Sequence, residues 1–125
     1  MDLNQITVPS LDVEKAIPFY EKLGLKLIVH THPRYARFEF PVGDSTLSLH
    51  QVDELPTGQG IIIYFELEKL DEVVEELIKK GIKFDNLPQD QRWLWREAKL
   101  KDPDGNQLIL FHAGENRKNP PWKIK

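Results

Sequence analysis

The sequence predicts an α+β protein made of two tandem βαβββ modules, whose sheets curve into a cup with the helices on the outer face. Three observations carry this reading. The chain repeats itself, it holds two amphipathic helical stretches each followed by glycine, and the remainder divides into short β-rich runs separated by turn residues.

The repeat sets the frame. A shift of 57 positions lays Lys22-Leu23-Gly24-Leu25-Lys26 over Lys79-Lys80-Gly81-Ile82-Lys83, and Ile6-Thr7-Val8 over Ile63-Tyr64-Phe65. At the ends of the halves the shift grows to 61 and pairs Leu47 to His50 with Leu108 to Phe111. Four extra loop residues in the second half account for the difference, and loop insertions cost little. Module 1 is expected over about residues 1–54 and module 2 over about 59–113, the two forming a single domain, with 114–125 as a C-terminal tail.

In order along the chain, Ile6-Thr7-Val8 opens the first half as a strand. A helix follows from about Asp12 to Leu23, with Val13, Ala16, Ile17, Tyr20 and Leu23 on one face and Asp12 as its N-cap. Pro18 lies inside that stretch, where the missing N–H costs ~3 kcal/mol beyond the first turn. Runs at 25–31, 35–40 and 46–52 read as strands, divided by Pro33 and by Gly43-Asp44. In the second half, the strand at Ile63 precedes a helix with Leu70, Val73, Val74, Leu77 and Ile78 on its apolar stripe, closed by Gly81. Runs at 94–100 and 107–112 complete the module around the turn Asp102-Pro103-Asp104-Gly105.

Composition narrows the function. The chain has 125 residues, 40% hydrophobic, which suffices for one stable core. With no cysteine it can form no disulfide, thiolate metal site or cysteine nucleophile, so any metal must use His, Gln or carboxylate. A net charge of −3 offers no footprint for a phosphate backbone, and nucleic acid is not an expected partner. No apolar run is long enough to span a membrane and the N-terminus lacks a basic-then-apolar leader, so the expected location is cytoplasmic.

Strand alternation then assigns the cup-lining side chains. With Ile6 and Val8 under the helix, Gln5, Thr7, Arg37, Glu39, Ser48 and His50 face the cup from the first half. From the second half come Ile62, Tyr64, Glu66, Trp95, Glu97, Lys99, Ile109 and Phe111 by the same parity. Trp93 shares the parity of Trp95.

The strings Leu3-Asn4-Gln5-Ile6-Thr7-Val8, Phe19-Tyr20-Glu21-Lys22-Leu23-Gly24-Leu25 and Asp102-Pro103-Asp104-Gly105-Asn106, in this order within a duplicated βαβββ, resemble the glyoxalase/bleomycin-resistance/dioxygenase superfamily, the vicinal oxygen chelate (VOC) fold. The resemblance covers nearly the whole chain and marks an uncharacterised subgroup. It implies a cup-shaped pair of modules, commonly completed in a homodimer. In metal-dependent members one residue from the first and one from the last strand of each module hold the ion, and the matching positions here are Gln5, Ser48, Ile62 and Ile109. Isoleucine has no lone pair and serine is a poor ligand beside His or carboxylate, so the usual metal, and any other cofactor, is not expected. A displaced divalent-metal site would draw on Gln5, His50 and Glu97.

The leading expectation is therefore a protein that binds a small, partly aromatic or amphiphilic molecule, in the manner of the bleomycin-resistance proteins. The ligand-binding candidates are Gln5, Thr7, Arg37, Ser48, Tyr64, Trp93, Trp95 and Phe111. Aromatic walls offer large buried area and ring geometry, and Arg37 can grip a carboxylate. The alternative is a glyoxalase-like lyase or isomerase, favoured over a dioxygenase, with the displaced metal or with His50, Glu39 and Glu97 as metal-free acid–base groups. His30 and His32 share one side of a strand and read as a solvent-facing pair. In the tail, Trp122 and Ile124 follow Pro120-Pro121 and read as two apolar anchors that dock on the sheet or on a second subunit. Unpaired strand edges give a further reason to expect a homodimer.

Overall fold

The computed structural model describes residues 1–125. Ten principal elements follow one another as β1 (Gln5–Ser10), α1 (Val13–Lys22), β2 (Lys26–Thr31), β3 (Tyr35–Glu39), β4 (Thr46–Gln51), β5 (Ile62–Glu66), α2 (Leu70–Lys79), β6 (Gln89–Asp90), β7 (Arg96–Lys101) and β8 (Gln107–His112). A short 3-10 turn at Gly114–Asn116 opens the tail. The strands form two four-stranded sheets of the same topology, β1-β4-β3-β2 and β5-β8-β7-β6. In each sheet the first strand runs parallel to the last and the other neighbours are antiparallel. The duplication read from the sequence is thus a duplication of architecture.

The chain divides into two compact units: residues 1–60 with 102–106, and residues 61–101 with 107–125. The β7–β8 turn therefore belongs to the first unit, although it is encoded in the second half.

In the first unit, Asp12 caps α1 by accepting from the Lys15 N–H at 3.2 Å. Val13, Ala16, Ile17 and Tyr20 turn inward against Val8, Phe38, Leu47 and Leu49, all buried. Pro18 sits within the helix, so the Glu14 carbonyl loses its usual helical donor. Gly24, at φ +101°, supplies the left-handed residue that lets the chain leave α1 for β2. A bulge between Leu27 and Val29 shifts the β2–β3 register.

In the second unit the buried stripe of α2 is narrower than its sequence pattern. Leu70, Val74 and Leu77 are buried, whereas Ile78 is 44% exposed. The expected strand at 94–100 begins only at Arg96. Ahead of it Leu94 takes φ 68°, and a turn is closed by Gln91 N–H to Trp95 O at 2.7 Å. Trp93 is consequently on a turn and does not share a strand with Trp95. The two-residue β6 carries too little alternation to be visible in the sequence. No helix is long and apolar enough to cross a membrane.

The Asp102–Asn106 turn is built around one buried carboxylate. Asp102 Oδ1 accepts the N–H groups of Asp104 and Asn106, both at 2.9 Å, while Oδ2 accepts from Asn106 Nδ2 at 2.8 Å and from the Tyr20 hydroxyl at 2.5 Å. Asp104 Oδ1 accepts the Leu11 N–H at 2.8 Å, and Asn106 Nδ2 also donates to Pro9 O. The family-like Asp-Pro-Asp-Gly-Asn string is a structural clasp within unit 1.

Candidate functional site

Each unit presents one sheet face away from its helix, and the candidate residues lie on these two faces. In unit 1 the registers Gln5↔Thr46, Thr7↔Ser48, Arg37↔Ser48, Glu39↔Thr46 and Tyr35↔His50 place Gln5, Thr7, Arg37, Glu39, Ser48 and His50 on a common side, as strand parity required. The centre of this face is a polar chain. Arg37 Nε donates to the Tyr35 hydroxyl at 3.0 Å, and that hydroxyl hydrogen-bonds Ser48 Oγ at 2.7 Å. Arg37 also lies over the Tyr35 ring, 5.5 Å from its centroid. Tyr35 was not among the sequence candidates, although its position two residues before Arg37 is the signal that could have found it.

The acid–base candidates of this face are not brought together. Glu39 pairs with Thr46 and His50 with Tyr35, so four residues of β3, about 14 Å of strand, separate them. Glu39 instead meets Lys26 at 3.9 Å in an exposed pair of little energetic weight.

The face of unit 2 gathers the aromatic candidates. Trp95 and Phe111 stack with ring centroids 4.7 Å apart and planes at 25°. Tyr64 stands edge-on to both, at 5.4 Å from Phe111 and 5.8 Å from Trp95. Phe111, Ile109 and Ala113 form a buried floor with Trp95 packed against it, while Tyr64 remains 43% exposed. Trp95 is fixed at its polar end too, its Nε1 donating to Asn116 O at 3.2 Å.

Glu97 lies on the same face, paired in register with Phe111, and is 1% exposed. The Trp93 indole N–H donates to Glu97 Oε2 at 2.9 Å, and no Lys, Arg or His pairs with this carboxylate. Burial, and after it the charge of Glu97, raises the Tyr64 phenol above its ordinary range. The turn that removes Trp93 from β7 is therefore what carries its indole to Glu97. The neighbouring Arg96 is committed elsewhere, in a bidentate pair with Asp71 at 2.9 Å and a contact to Asp90 at 3.0 Å.

Glu66, expected on this face, serves the tail. Its Oε2 accepts the N–H groups of Ala113 and Gly114 at 2.8 and 2.9 Å, and Arg117 Nε approaches Oε1 at 3.5 Å. Burial acts to raise this carboxyl, but the two N–H groups, Arg117 and His112 outweigh it and hold the group below its usual range. The tail is thus held at its start. Trp122 and Ile124, read as anchors, are 58% and 93% exposed in the chain.

The inherited metal positions do not make a ligand set. Gln5 Oε1 accepts from Thr46 Oγ1 at 3.0 Å, and the fully buried Ser48 is bonded to Tyr35. Ile62 and Ile109 bring no donor atom, and Ile109 belongs to the apolar floor. Of the displaced set, His50 and Glu97 belong to no group of three His or carboxylate donors that approach one another; the one such group in the chain is Glu14, His30 and His32.

Two βαβββ units of identical topology, each exposing one face, define the class. The model of the glyoxalase/bleomycin resistance protein/dioxygenase superfamily matches residues 2–110, and the chain belongs to that superfamily. A trivalent organoarsenical cleaving enzyme of Bacillus sp. strain MD1 is 32% identical over 128 residues, covering 88% of this chain and 74% of that protein. Among solved structures, a glyoxalase/bleomycin resistance protein/dioxygenase from Nocardioides superposes with a TM-score of 0.80 at 24% identity, covering all of this chain and 90% of that one. The bleomycin resistance determinant encoded on transposon Tn5 gives 0.75 at 24% identity, over 90% and 98% of the two chains.

Proposed function

We propose that this protein binds a small, flat, partly aromatic molecule that carries positive charge, and that it does so without the metal site of its metal-dependent relatives. The observation that carries the reading is the union of a stacked Trp95–Phe111–Tyr64 cluster with a buried Glu97 that no cation of the chain neutralises. Aromatic faces supply area and ring geometry to a flat ligand. A buried carboxylate without a counter-ion carries a desolvation penalty that a bound cation would offset. The family's bleomycin-resistance members make bleomycin, a larger cationic molecule with a flat aromatic part, the natural first probe beside small flat cations.

The organoarsenical-cleaving relative favours an enzymatic reading, which ranks second. Trivalent arsenic is a soft, thiol-seeking centre, and this chain has no cysteine to hold it. Metal-free acid–base work by His50 with Glu39 has no support from their spacing.

Metal-free bleomycin titrated against the tryptophan fluorescence tests the proposal, alongside a panel of flat aromatic cations and their neutral isosteres. Saturable quenching by the cations with no product formed is the expected result. Absence of saturable binding across the panel, or turnover of a panel compound, overturns it. We further propose that the protein is a homodimer, with Trp122 and Ile124 covered in the assembly.

A further inference from the structure

We propose that Glu14, His30 and His32 form a surface site for one borderline divalent transition-metal ion, of the zinc, nickel or copper(II) type, on the helix side of the first sheet. His30 pairs in register with Ala36, which is buried under α1, so this site lies on the sheet face opposite Gln5, Thr7 and Ser48. It shares no residue with the positions at which metal-dependent relatives hold their ion.

The residues come from two regular elements. Glu14 stands in the first turn of α1, and His30 and the residue just after β2, His32, project toward it from alternate positions along the chain. Glu14 Oε1 lies 2.7 Å from His30 Nε2 and 2.5 Å from His32 Nδ1, and all the ligand atoms fall within 4.8 Å of one another. The two imidazoles stand edge to face, their centroids 6.0 Å apart. Two imidazole nitrogens and one carboxylate oxygen are a donor set that zinc uses with a fourth position open. Around an ion at about 2.0–2.1 Å, tetrahedral ligands stand roughly 3.3 Å apart, so each imidazole nitrogen needs to draw back from Glu14 Oε1 by less than about 1 Å to admit one. Rotamer adjustment of exposed side chains can supply that movement.

The electrostatics agree with the geometry. Hydrogen bonds from His32 and then His30 hold the Glu14 carboxyl below its ordinary range, so a charged carboxylate faces both rings. Both contacts fall on Oε1, and Oε2 takes part in neither. His30, His32 and Glu14 have side chains 32%, 71% and 39% exposed, which leaves an entry path and an open coordination position toward solvent. Nitrogen-rich ligation selects against magnesium and calcium, which take oxygen ligands. Bound there, the ion would tie α1 to β2, one of the two edge strands of its sheet.

The test uses full-length protein purified without a histidine tag and stripped of metal, titrated calorimetrically with zinc chloride and, by visible absorption, with cobalt chloride. We expect one equivalent of each to bind, zinc to displace cobalt, and zinc to raise the Tm of the wild type by binding the folded state alone. His30→Asn/His32→Asn should weaken zinc binding at least about tenfold and remove the Tm shift, and Glu14→Gln should weaken it as well. The single variants His30→Asn and His32→Asn carry the test if the double variant does not fold. No saturable uptake by the wild type, unchanged affinity in natively folded variants, or equal binding of calcium would overturn the proposal.

Discussion

The hydroxyl of Tyr20 donates to Oδ2 of Asp102 at 2.5 Å, joining α1 to a turn 82 positions further along the chain. Tyr20 is fully buried and Asp102 nearly so. Tyr20→Phe removes one donor from a charged acceptor that keeps three others, so a loss of about 1.5–3 kcal/mol is expected. For a chain of this size that is a fall in Tm of roughly 5–15 °C, readable by calorimetry. Burial, then the Asp102 charge and hydrogen bond, raises the Tyr20 phenol above its ordinary range. A raised folded-state value means this stabilisation is complete below the unfolded phenol's pKa, about 10, and is lost as pH rises beyond it. Wild type should therefore lose stability faster than Tyr20→Phe above that pH.

Trp95 is the centre of the aromatic cluster, so Trp95→Ala should weaken bleomycin binding at least about tenfold, roughly 1.4 kcal/mol. Phe111 is buried beneath it and Tyr64 is not. Tyr64→Leu therefore offers a variant that preserves the floor while removing one ring edge, and should show a smaller loss.

Glu97→Gln separates charge from shape. The amide still accepts from the Trp93 indole, but an aromatic cation should lose its advantage over the neutral isostere. Fluorescence titration of the matched pair reads the difference. Retention of the full preference in Glu97→Gln would place its origin elsewhere.

Glu66 makes the tail sensitive to acid. Its folded-state carboxyl is depressed, so its contribution is present above the unfolded value, about 4.3, and lost as pH falls through the lower folded one. Amide exchange at Ala113 and Gly114, taken relative to the intrinsic rate of an unprotected amide at the same pH, should accelerate below pH about 4 in the wild type. In Glu66→Gln it should be fast already at neutral pH.

Light scattering at micromolar concentration should return about twice 14.6 kDa if Trp122 and Ile124 are covered by a second copy. Cutting the chain after Ala113 should then weaken the dimer or lower its Tm. A monomer whose Tm ignores the cut would refute the assembly.

Much of this was legible in the residues. The repeat, the Asp12 cap and the parity of Gln5, Arg37 and Ser48 follow from local rules that the chain obeys. Trp93 departs from the strand parity its spacing from Trp95 predicts because Leu94 adopts a left-handed conformation that leucine seldom takes, which no periodicity announces. The role of Tyr35 is not legible in its own neighbourhood because it depends on Ser48 across the sheet. The meeting of Glu14 with His30 and His32 depends on how α1 lies over β2, which strand alternation alone does not set.

The β7–β8 turn has a bearing on how such a protein can evolve. Residues 102–106 complete the unit whose other residues end at Gly60, so a fragment stopping there would leave the Tyr20 hydroxyl without its Asp102 acceptor and the Leu11 and Pro9 backbone groups without their partners. Once a duplicated copy lends its sibling a turn of this kind, the first half cannot be excised without giving up these partners.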